Sequence, residues 1–376
     1  MNKVLYISIF HKTKETLLSD GVMKKINLHL ECLRRLGNSV DYFYTDGESI
    51  FFNNNDKDIL VGKKEGIGFV YFNKLIVLAK KMIKQLDLNY DYIYIRHEAF
   101  SLRGYNALKY LSKRSNCIYL EYPTFFIPPK SFKNFVKYFF EKHLHKYVYK
   151  AVVDSLDKEA YQMPTLRIIN GTDLTKINPR VPTNTQTINV MLVAFIQDYH
   201  GVDKIINATK EYYKKGGTRD VLFHIVGDGP MLLKYREDCE KYQLSNHIKF
   251  YGTLSGDPLD EVFNKCEMGI SSLANKELGV TCSSTLKSKE YLAKGLPIIS
   301  DTLLDVFVDT PKYFFYILKE NFNLDELISF YDDVYQTRDK QTIINDIRAF
   351  AEETCDMFKV FKGVDDDYLN YVRNQK

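Results

Sequence analysis

The 376-residue chain carries 52 Lys and Arg against 48 Asp and Glu, a formal charge of +4, too balanced for a nucleic-acid binder that works by bulk electrostatics. Its 45% hydrophobic content is ample for two cores of ordinary size. Cys32, Cys117, Cys239, Cys266, Cys282 and Cys355 form no Cys-x-x-Cys pair, so neither a zinc site nor a disulfide framework is expected, and a reducing cytoplasm fits.

Residues 4–10 read as a buried strand. Lys12 and Lys14 end that run far short of a secretory core or a membrane span, so the chain is expected to be neither exported nor membrane-spanning. A loop with Gly21 leads to a helix in which Ile26, Leu30, Leu33 and Leu36 recur at helical spacing; Gly37 closes it and residues 40–44 give a second strand. This is a β-α-β opening of the doubly wound kind. The alternation continues with a helix over 75–86, a strand over 92–95, a helix over 105–111 and a strand over 117–121. Short strands at 152–153 and 168–169, an Asn170-Gly171 turn and a polar, Pro-containing stretch over 179–187 mark a boundary. The expected domains are therefore 1–178 and 179–345, with 346–376 a helical tail packing across their junction.

The second half restarts with a strand over 190–195 and a helix from about 202 to 213, then a strand over 221–226 that ends in Gly227-Asp228-Gly229-Pro230. Strands over 248–251 and 268–271 flank a helix over 259–265, and helices over 324–335 and 343–361 close the chain. The fold class is α/β, with two Rossmann-like doubly wound domains facing a cleft.

The most informative stretch is 283–300. Ser284 or Thr285 can cap a helix, Gly295 can end it, and Pro297 starts an apolar strand. A helix N-terminus in that setting attracts phosphate through its free N–H groups and dipole, with Lys287 and Lys289 adding charge. Glu290, one turn in, suits vicinal hydroxyls such as those of a ribose better than phosphate. A well-capped surface helix with ordinary Lys and Glu decoration is the competing reading.

With the Gly-Asp-Gly-Pro loop, the Asn170-Gly171-Thr172-Asp173 turn and the helix from Glu290 to Pro297, the chain resembles the GT-B glycosyltransferases, specifically glycosyltransferase family 4. His200-Gly201-Val202-Asp203-Lys204, the run from Ser284 to Tyr291 and Glu121-Tyr122-Pro123-Thr124 are similar to the branch associated with bacterial capsular and surface polysaccharides. The resemblance implies a retaining transfer of a sugar from a nucleotide-sugar, UDP-linked on the family's habit, to a saccharide hydroxyl on a lipid-linked precursor, with no cofactor. The first domain would then serve the acceptor and the second the donor, around a hinge near 170–187. Two departures stand out. Where members carry a diphosphate-binding Arg and Lys, this chain has Phe195 and His200, and Cys282 occupies the place of the first of two glutamates, of which Glu290 matches the second.

Donor binding is accordingly assigned to Gly21, Lys204, Gly227, Gly229, Ser284, Thr285, Leu286, Lys287 and Glu290. Arg96, His97, His200 and Lys287 are the catalytic candidates, and Glu121 and Thr124 face the acceptor. Each has a bland counterpart: a strand-end pair for Arg96 and His97, a turn residue for His200, a structural Pro turn for Glu121 to Thr124, and a solvated side chain for Lys25. Cys282 reads as a packed residue without a base beside it. Asp365, Asp366 and Asp367 lie in a polar tail and are expected to be solvated, so no catalytic metal is assigned. Residues 130–150 alternate Lys with Phe and Tyr, which suits either an anionic membrane surface or an ordinary amphipathic helix. Two rival functions remain open: a nucleotide-sugar isomerase on the same fold, and a catalytically silent protein that binds saccharide, membrane or another partner.

Overall fold

A computed structural model describes residues 1–13, 20–122, 139–308 and 311–375. They form two compact units, Met1–Ile169 with Met357–Lys376, and Asn170–Asp356.

Unit 1 alternates strand and helix as the apolar periodicity dictates. Its elements are β1 (Lys3–Ile7), α1 (Gly21–Arg35), β2 (Ser39–Thr45), β3 (Ser49–Asn54), β4 (Lys57–Lys63), α2 (Gly68–Gln85), β5 (Tyr90–Arg96), α3 (Leu102–Leu111), β6 (Ser115–Glu121), β7 (Lys150–Val153), β8 (Glu159–Ala160) and β9 (Met163–Arg167). They build a nine-stranded sheet in the order β4-β3-β2-β1-β5-β6-β7-β9-β8. The strands from β2 through β9 in that order are parallel, with β1 paired to both β2 and β5. The β3-β4 hairpin, absent from the sequence reading, adds an antiparallel edge. Its turn residues Asn55 and Asp56 both have positive φ, 48° and 59°, which is the conformation a two-residue hairpin turn needs and these residue types tolerate.

Unit 2 comprises β10 (Ile188–Val193), α4 (Val202–Lys214), β11 (Val221–Val226), α5 (Leu232–Lys241), β12 (Ile248–Phe250), α6 (Asp257–Lys265), β13 (Met268–Ile270), β14 (Cys282–Ser283), α7 (Leu286–Lys294), β15 (Ile298–Ser300), β16 (Leu303–Leu304), β17 (Phe315–Ile317), α8 (Leu324–Tyr335) and α9 (Lys340–Thr354). Six parallel strands run in the order β12-β11-β10-β13-β15-β17. Buried aliphatic residues of β10, β11 and β15, such as Val190, Ile225 and Ile298, form the core with Leu292 of α7 and Ile347 of α9. The strand order reverses between β10 and β13, and ligands of open α/β sheets bind outside the carboxyl ends at such a point.

The single helix expected over 343–361 is two helices. α9 ends at Thr354, Cys355 accepts from Thr172 N–H (2.9 Å), and α10 (Met357–Gln375) begins as the chain returns to unit 1. The acidic cluster on α10 is also not solvated as expected. Asp365 is buried and accepts from Asn38 Nδ2 (2.6 Å) and from the Tyr92 hydroxyl. Asp367 accepts from the Tyr119 hydroxyl (2.8 Å) and pairs with Lys150. Strand tyrosines that would otherwise hold unsatisfied hydroxyls thus anchor the last helix. Replacing Asp365 by Ala leaves Tyr92 and Asn38 without their acceptor and should cost about 2–4 kcal/mol. Urea unfolding followed by far-UV circular dichroism measures it, and a loss below about 0.5 kcal/mol would contradict the anchoring role.

Candidate active site

In unit 2 the carboxyl edge of the sheet is shaped by close backbone approach. After β11 the chain turns through Gly227 (φ 130°) and Gly229 (φ 157°). A Cβ on Gly227 would sit 1.8 Å from the Ala194 carbonyl oxygen, and one on Gly229 would sit 2.3 Å from that of Ile196. Only glycine permits the 227–230 turn to lie against the loop that follows β10. Ile196 N–H donates to Asp228 O (2.7 Å) and Gly227 N–H to Gly252 O (2.7 Å), which fixes both loops.

Thr285 caps α7, its hydroxyl accepting from Ser288 N–H (3.4 Å). Ser284 serves elsewhere: its hydroxyl accepts from Asn170 N–H (3.0 Å) and its carbonyl from Asn170 Nδ2 (2.6 Å). The first-turn N–H groups of Leu286 and Lys287 have no intrahelical acceptor. Gly295 closes the helix in the left-handed region at φ 78°. The Tyr291 hydroxyl accepts from Val193 N–H (2.8 Å), fixing α7 to the end of β10.

Lys287 is the unusual group. Its Nζ is buried and has no hydrogen-bond partner among the described residues. Burial drives its pKa down to about 7, with Asp301 opposing the shift. Asp301 follows β15; burial raises its pKa, although Oδ2 accepts from Lys276 N–H (2.9 Å), and its Oδ1 is buried without a partner among the described residues. His200 is lowered to about 3 by burial and then by the Lys287 charge. It is therefore a neutral imidazole at physiological pH, with Nδ1 accepting from Gln197 N–H (3.2 Å). Lys204 also acts on Asp301, but its Nζ donates to Leu273 O (2.6 Å) and Glu277 (2.6 Å). One electrostatic neighbourhood thus holds His200, Lys204, Lys287 and Asp301.

In unit 1 the carboxyl ends of β5 and β6 carry a second charged cluster. Arg96 and Lys25 (2.9 Å) both donate to Glu121 Oε1, and the Tyr94 hydroxyl donates to Oε2 (3.0 Å). Burial alone would raise the Glu121 pKa, but Arg96, Lys25 and His29 outweigh it and hold the carboxyl far below the usual range. His29 is pushed well down by burial, with Glu121 opposing and Lys25 and Arg96 assisting. Lys25, His29, Tyr94 and Glu121 line a small concavity with Val152, Val153 and Asp154. His97 lies deeper: its Nε2 is 2.7 Å from Glu141 Oε1, and the Tyr122 hydroxyl donates to the other oxygen (2.9 Å).

Residues 175–308 match the family model for glycosyl transferases group 1. No curated protein is significantly similar in sequence. Solved structures that share the architecture include a glycosyltransferase from Rickettsia africae ESF-5, at 13% identity and TM-score 0.69 over 99% of both chains. Sucrose-phosphate synthase of Thermosynechococcus elongatus is 14% identical, with TM-score 0.68 over 100% of both chains. Anabaena HepE in complex with UDP-glucose is 13% identical, with TM-score 0.60 over 98% of this chain and 100% of that one. The fold is GT-B, two Rossmann-like α/β domains.

Within unit 2 His200, Lys204 and Lys287 share one electrostatic neighbourhood with Asp301, Gly227 and Gly229 lie against the loop after β10, and Ser284, Thr285 and Leu286 stand at the start of α7, whereas Glu290 sits in the middle of that helix. Lys289 departs from expectation: it is fully buried and pairs with Asp305 instead of adding charge to the α7 N-terminus. Gly21 is the first residue of α1, where the Asp20 carboxylate already accepts from Val22 N–H (2.7 Å) and Met23 N–H (3.2 Å). Lys25 is not a solvated lysine but a partner of Glu121. Arg96, His97 and Glu121 meet at the edge of unit 1, while Thr124 and residues 130–138 lie outside the described residues. Phe195 is 66% exposed, and Cys282 is half-buried. Asp301 was missed, although an acid directly after an apolar strand end is a readable signal. Among the described residues no three His, Cys, Asp or Glu side chains gather to hold a metal ion, and no helix is long and apolar enough to cross a membrane.

The Lys287 shift has a definite sign for stability. The unfolded chain holds its proton up to the ordinary lysine pKa of about 10.4, whereas the folded empty site releases it near 7. The penalty is complete below about pH 7 and disappears as pH rises toward about 10. Lys287→Met should therefore stabilise the empty protein by about 1–3 kcal/mol near neutral pH, with the gain fading at high pH. Thermal melts across pH check this, and a variant less stable than the parent would contradict it.

Proposed function

We propose that the protein is a glycosyltransferase that takes a sugar from a nucleotide-sugar, UDP-linked, and passes it to a saccharide hydroxyl. The observation that carries this reading is Lys287, whose buried ammonium at the N-terminus of α7 has no hydrogen-bond partner among the described residues. A buried cation with no hydrogen-bond acceptor among the described residues suits an anionic ligand, even with the Asp301 charge nearby, and the N–H groups of Leu286 and Lys287 point their dipoles the same way. The match of residues 175–308 to glycosyl transferases group 1 supports a diphosphate as that anion. UDP-glucose in the HepE complex supports the choice of uridine.

In this reading the 227–230 loop gives backbone access to the nucleotide, and Glu290 takes the ribose hydroxyls. Transfer breaks the bond between the anomeric carbon and the diphosphate oxygen and forms a bond from that carbon to the acceptor oxygen. The acceptor proton passes to the departing diphosphate, whose growing charge Lys287 stabilises. Neutral His200, whose Nδ1 accepts from Gln197 N–H, can donate one hydrogen bond from Nε2 to the sugar or phosphate without competing for charge. Lys204 acts from behind, through Glu277 and the Leu273 carbonyl. Arg96 and His97 remain catalytic candidates, with Glu121 holding Arg96 in place, and Glu121 and Thr124 the acceptor-side candidates. Retention of configuration, independence from metal and a lipid-linked surface-polysaccharide acceptor belong to the same proposal. A catalytically silent binding protein is the second reading, favoured by the exposed Phe195 where the resemblance calls for a diphosphate-binding Arg.

Calorimetric titration with UDP, UDP-sugars, GDP and ADP tests the donor site. One nucleotide class should bind, and Lys287→Met should weaken it by about 10- to 100-fold, the value of a charge-assisted phosphate contact. Equal binding by the variant would remove the proposed site. Slow release of free sugar from the bound donor in acceptor-free buffer would favour a transferase over the silent reading, and a rearranged nucleotide-sugar would favour an isomerase.

A further inference from the structure

The transfer leaves Asp301 without a role. This residue directly follows β15, at the carboxyl end of that strand, and is 4% exposed. Its position is fixed on two sides: its N–H donates to Ser272 O (3.0 Å), and its Oδ2 accepts from Lys276 N–H (2.9 Å). Oδ1 is buried and has no hydrogen-bond partner among the described residues. A buried carboxyl oxygen in that state is costly until a ligand or an ordered water completes it.

The surrounding polar groups are engaged elsewhere. Lys204 commits its Nζ to Leu273 O and Glu277, and Lys276 Nζ donates to Leu318 O (2.7 Å). Next to Asp301 in the chain, Thr302 Oγ1 lies 3.5 Å from Ser283 Oγ, and Ser300 Oγ accepts from Thr302 N–H (3.3 Å). At the start of α7 the Thr285 hydroxyl donates to Ser288 Oγ (2.9 Å). Asp301 acts electrostatically on Lys287, yet the two are not hydrogen-bonded: Lys287 Nζ and Asp301 Oδ1 both lack partners among the described residues. One buried neighbourhood thus holds a donor that suits an anion and an acceptor that needs a neutral donor. Inorganic phosphate answers only the first, and a second anionic group would be repelled by the carboxyl. An apolar substituent would leave Oδ1 unpaired. A glycosyl phosphate carries both chemistries a few bonds apart, phosphate oxygens at the anomeric carbon and hydroxyls on the same ring.

We propose that Asp301 selects the sugar of the donor, its Oδ1 accepting from a hydroxyl of the transferred sugar while Lys287 holds the adjoining phosphate. This rests on the donor-site reading and adds to it that the transferred sugar has a free hydroxyl where it meets Asp301. A site built to bond a hydroxyl rejects the analogue that lacks it, because the buried acceptor is then left unpaired.

The test is calorimetry with UDP, with UDP-glucose, UDP-galactose and UDP-N-acetylglucosamine, and with monodeoxyfluoro forms of whichever sugar binds best, since fluorine cannot donate to a carboxyl oxygen. One monodeoxyfluoro form should bind the parent about tenfold or more weakly than the sugar itself. Asp301→Asn should weaken the intact UDP-sugar by a similar factor, lose the discrimination against that fluorinated form, and bind UDP undiminished. The retained UDP affinity shows that the variant folds with its site intact. Loss of UDP and UDP-sugar affinity by the same factor in Asp301→Asn would make Asp301 only a tuner of Lys287 and overturn the proposal. Equal binding of every monodeoxyfluoro form by the parent, with UDP affinity still dependent on Lys287, would overturn it while leaving the donor site in place. If the parent binds no UDP-sugar, or Lys287→Met binds UDP as well as the parent, the donor-site reading falls and this proposal with it.

Discussion

An ammonium kept away from water without a hydrogen-bond acceptor costs free energy that the folded chain must offset elsewhere. Lys287 is held in that state, at the N-terminus of a nine-residue helix above a parallel sheet. The cost falls when the ammonium loses its proton, which is why its pKa drops to about 7, and it also falls when an anion arrives. Three contacts hold the helix that carries this group. Thr285 caps the helix, the Tyr291 hydroxyl ties it to β10, and Lys289 binds it from beneath through the buried Asp305. Lys289 is buried against a carboxylate, Asp305, while the Nζ of Lys287, two residues earlier, has no hydrogen-bond partner among the described residues. Neighbouring lysines on one helix thus serve opposite ends.

Unit 1 handles charge differently. There Glu121 gathers Arg96, Lys25 and the Tyr94 hydroxyl into a satisfied network at the carboxyl ends of β5 and β6. Removing Glu121 would leave two cations facing one another, so the network is expected to behave as a unit. The same economy governs α10, where two aspartates take up hydroxyls from strand tyrosines. The tyrosine-rich sheet of unit 1 buries aromatic area and pays for its hydroxyls with carboxylates from a distant part of the chain.

Much of this was legible in the sequence, and the reasons for the gaps are physical. The α/β alternation, the Thr285 cap, the Gly295 stop and the bounds of α8 follow from local periodicity and capping, which depend on residues a few positions apart. The β3-β4 hairpin was passed over because its strands, such as Ser49–Asn54, mix polar with apolar residues at a sheet edge, although Asn55 and Asp56 signal its turn. The role of Lys25 depends on Glu121, 96 positions away, and that of Asp365 on Asn38, 327 positions away. No local pattern reports such pairings. The distinction between Lys287 and Lys289 was equally beyond the sequence, since both sit in the first turns of the same helix and only burial with or without a partner separates them.

The most direct test of the Lys287 account is its own titration, followed by NMR of lysine labelled at the ε-carbon, with the signal assigned by its loss in Lys287→Met. The account predicts a pKa near 7 in the empty protein and a rise of at least about two units when a UDP-sugar binds. An ordinary lysine value of about 10.4 in both states would contradict it.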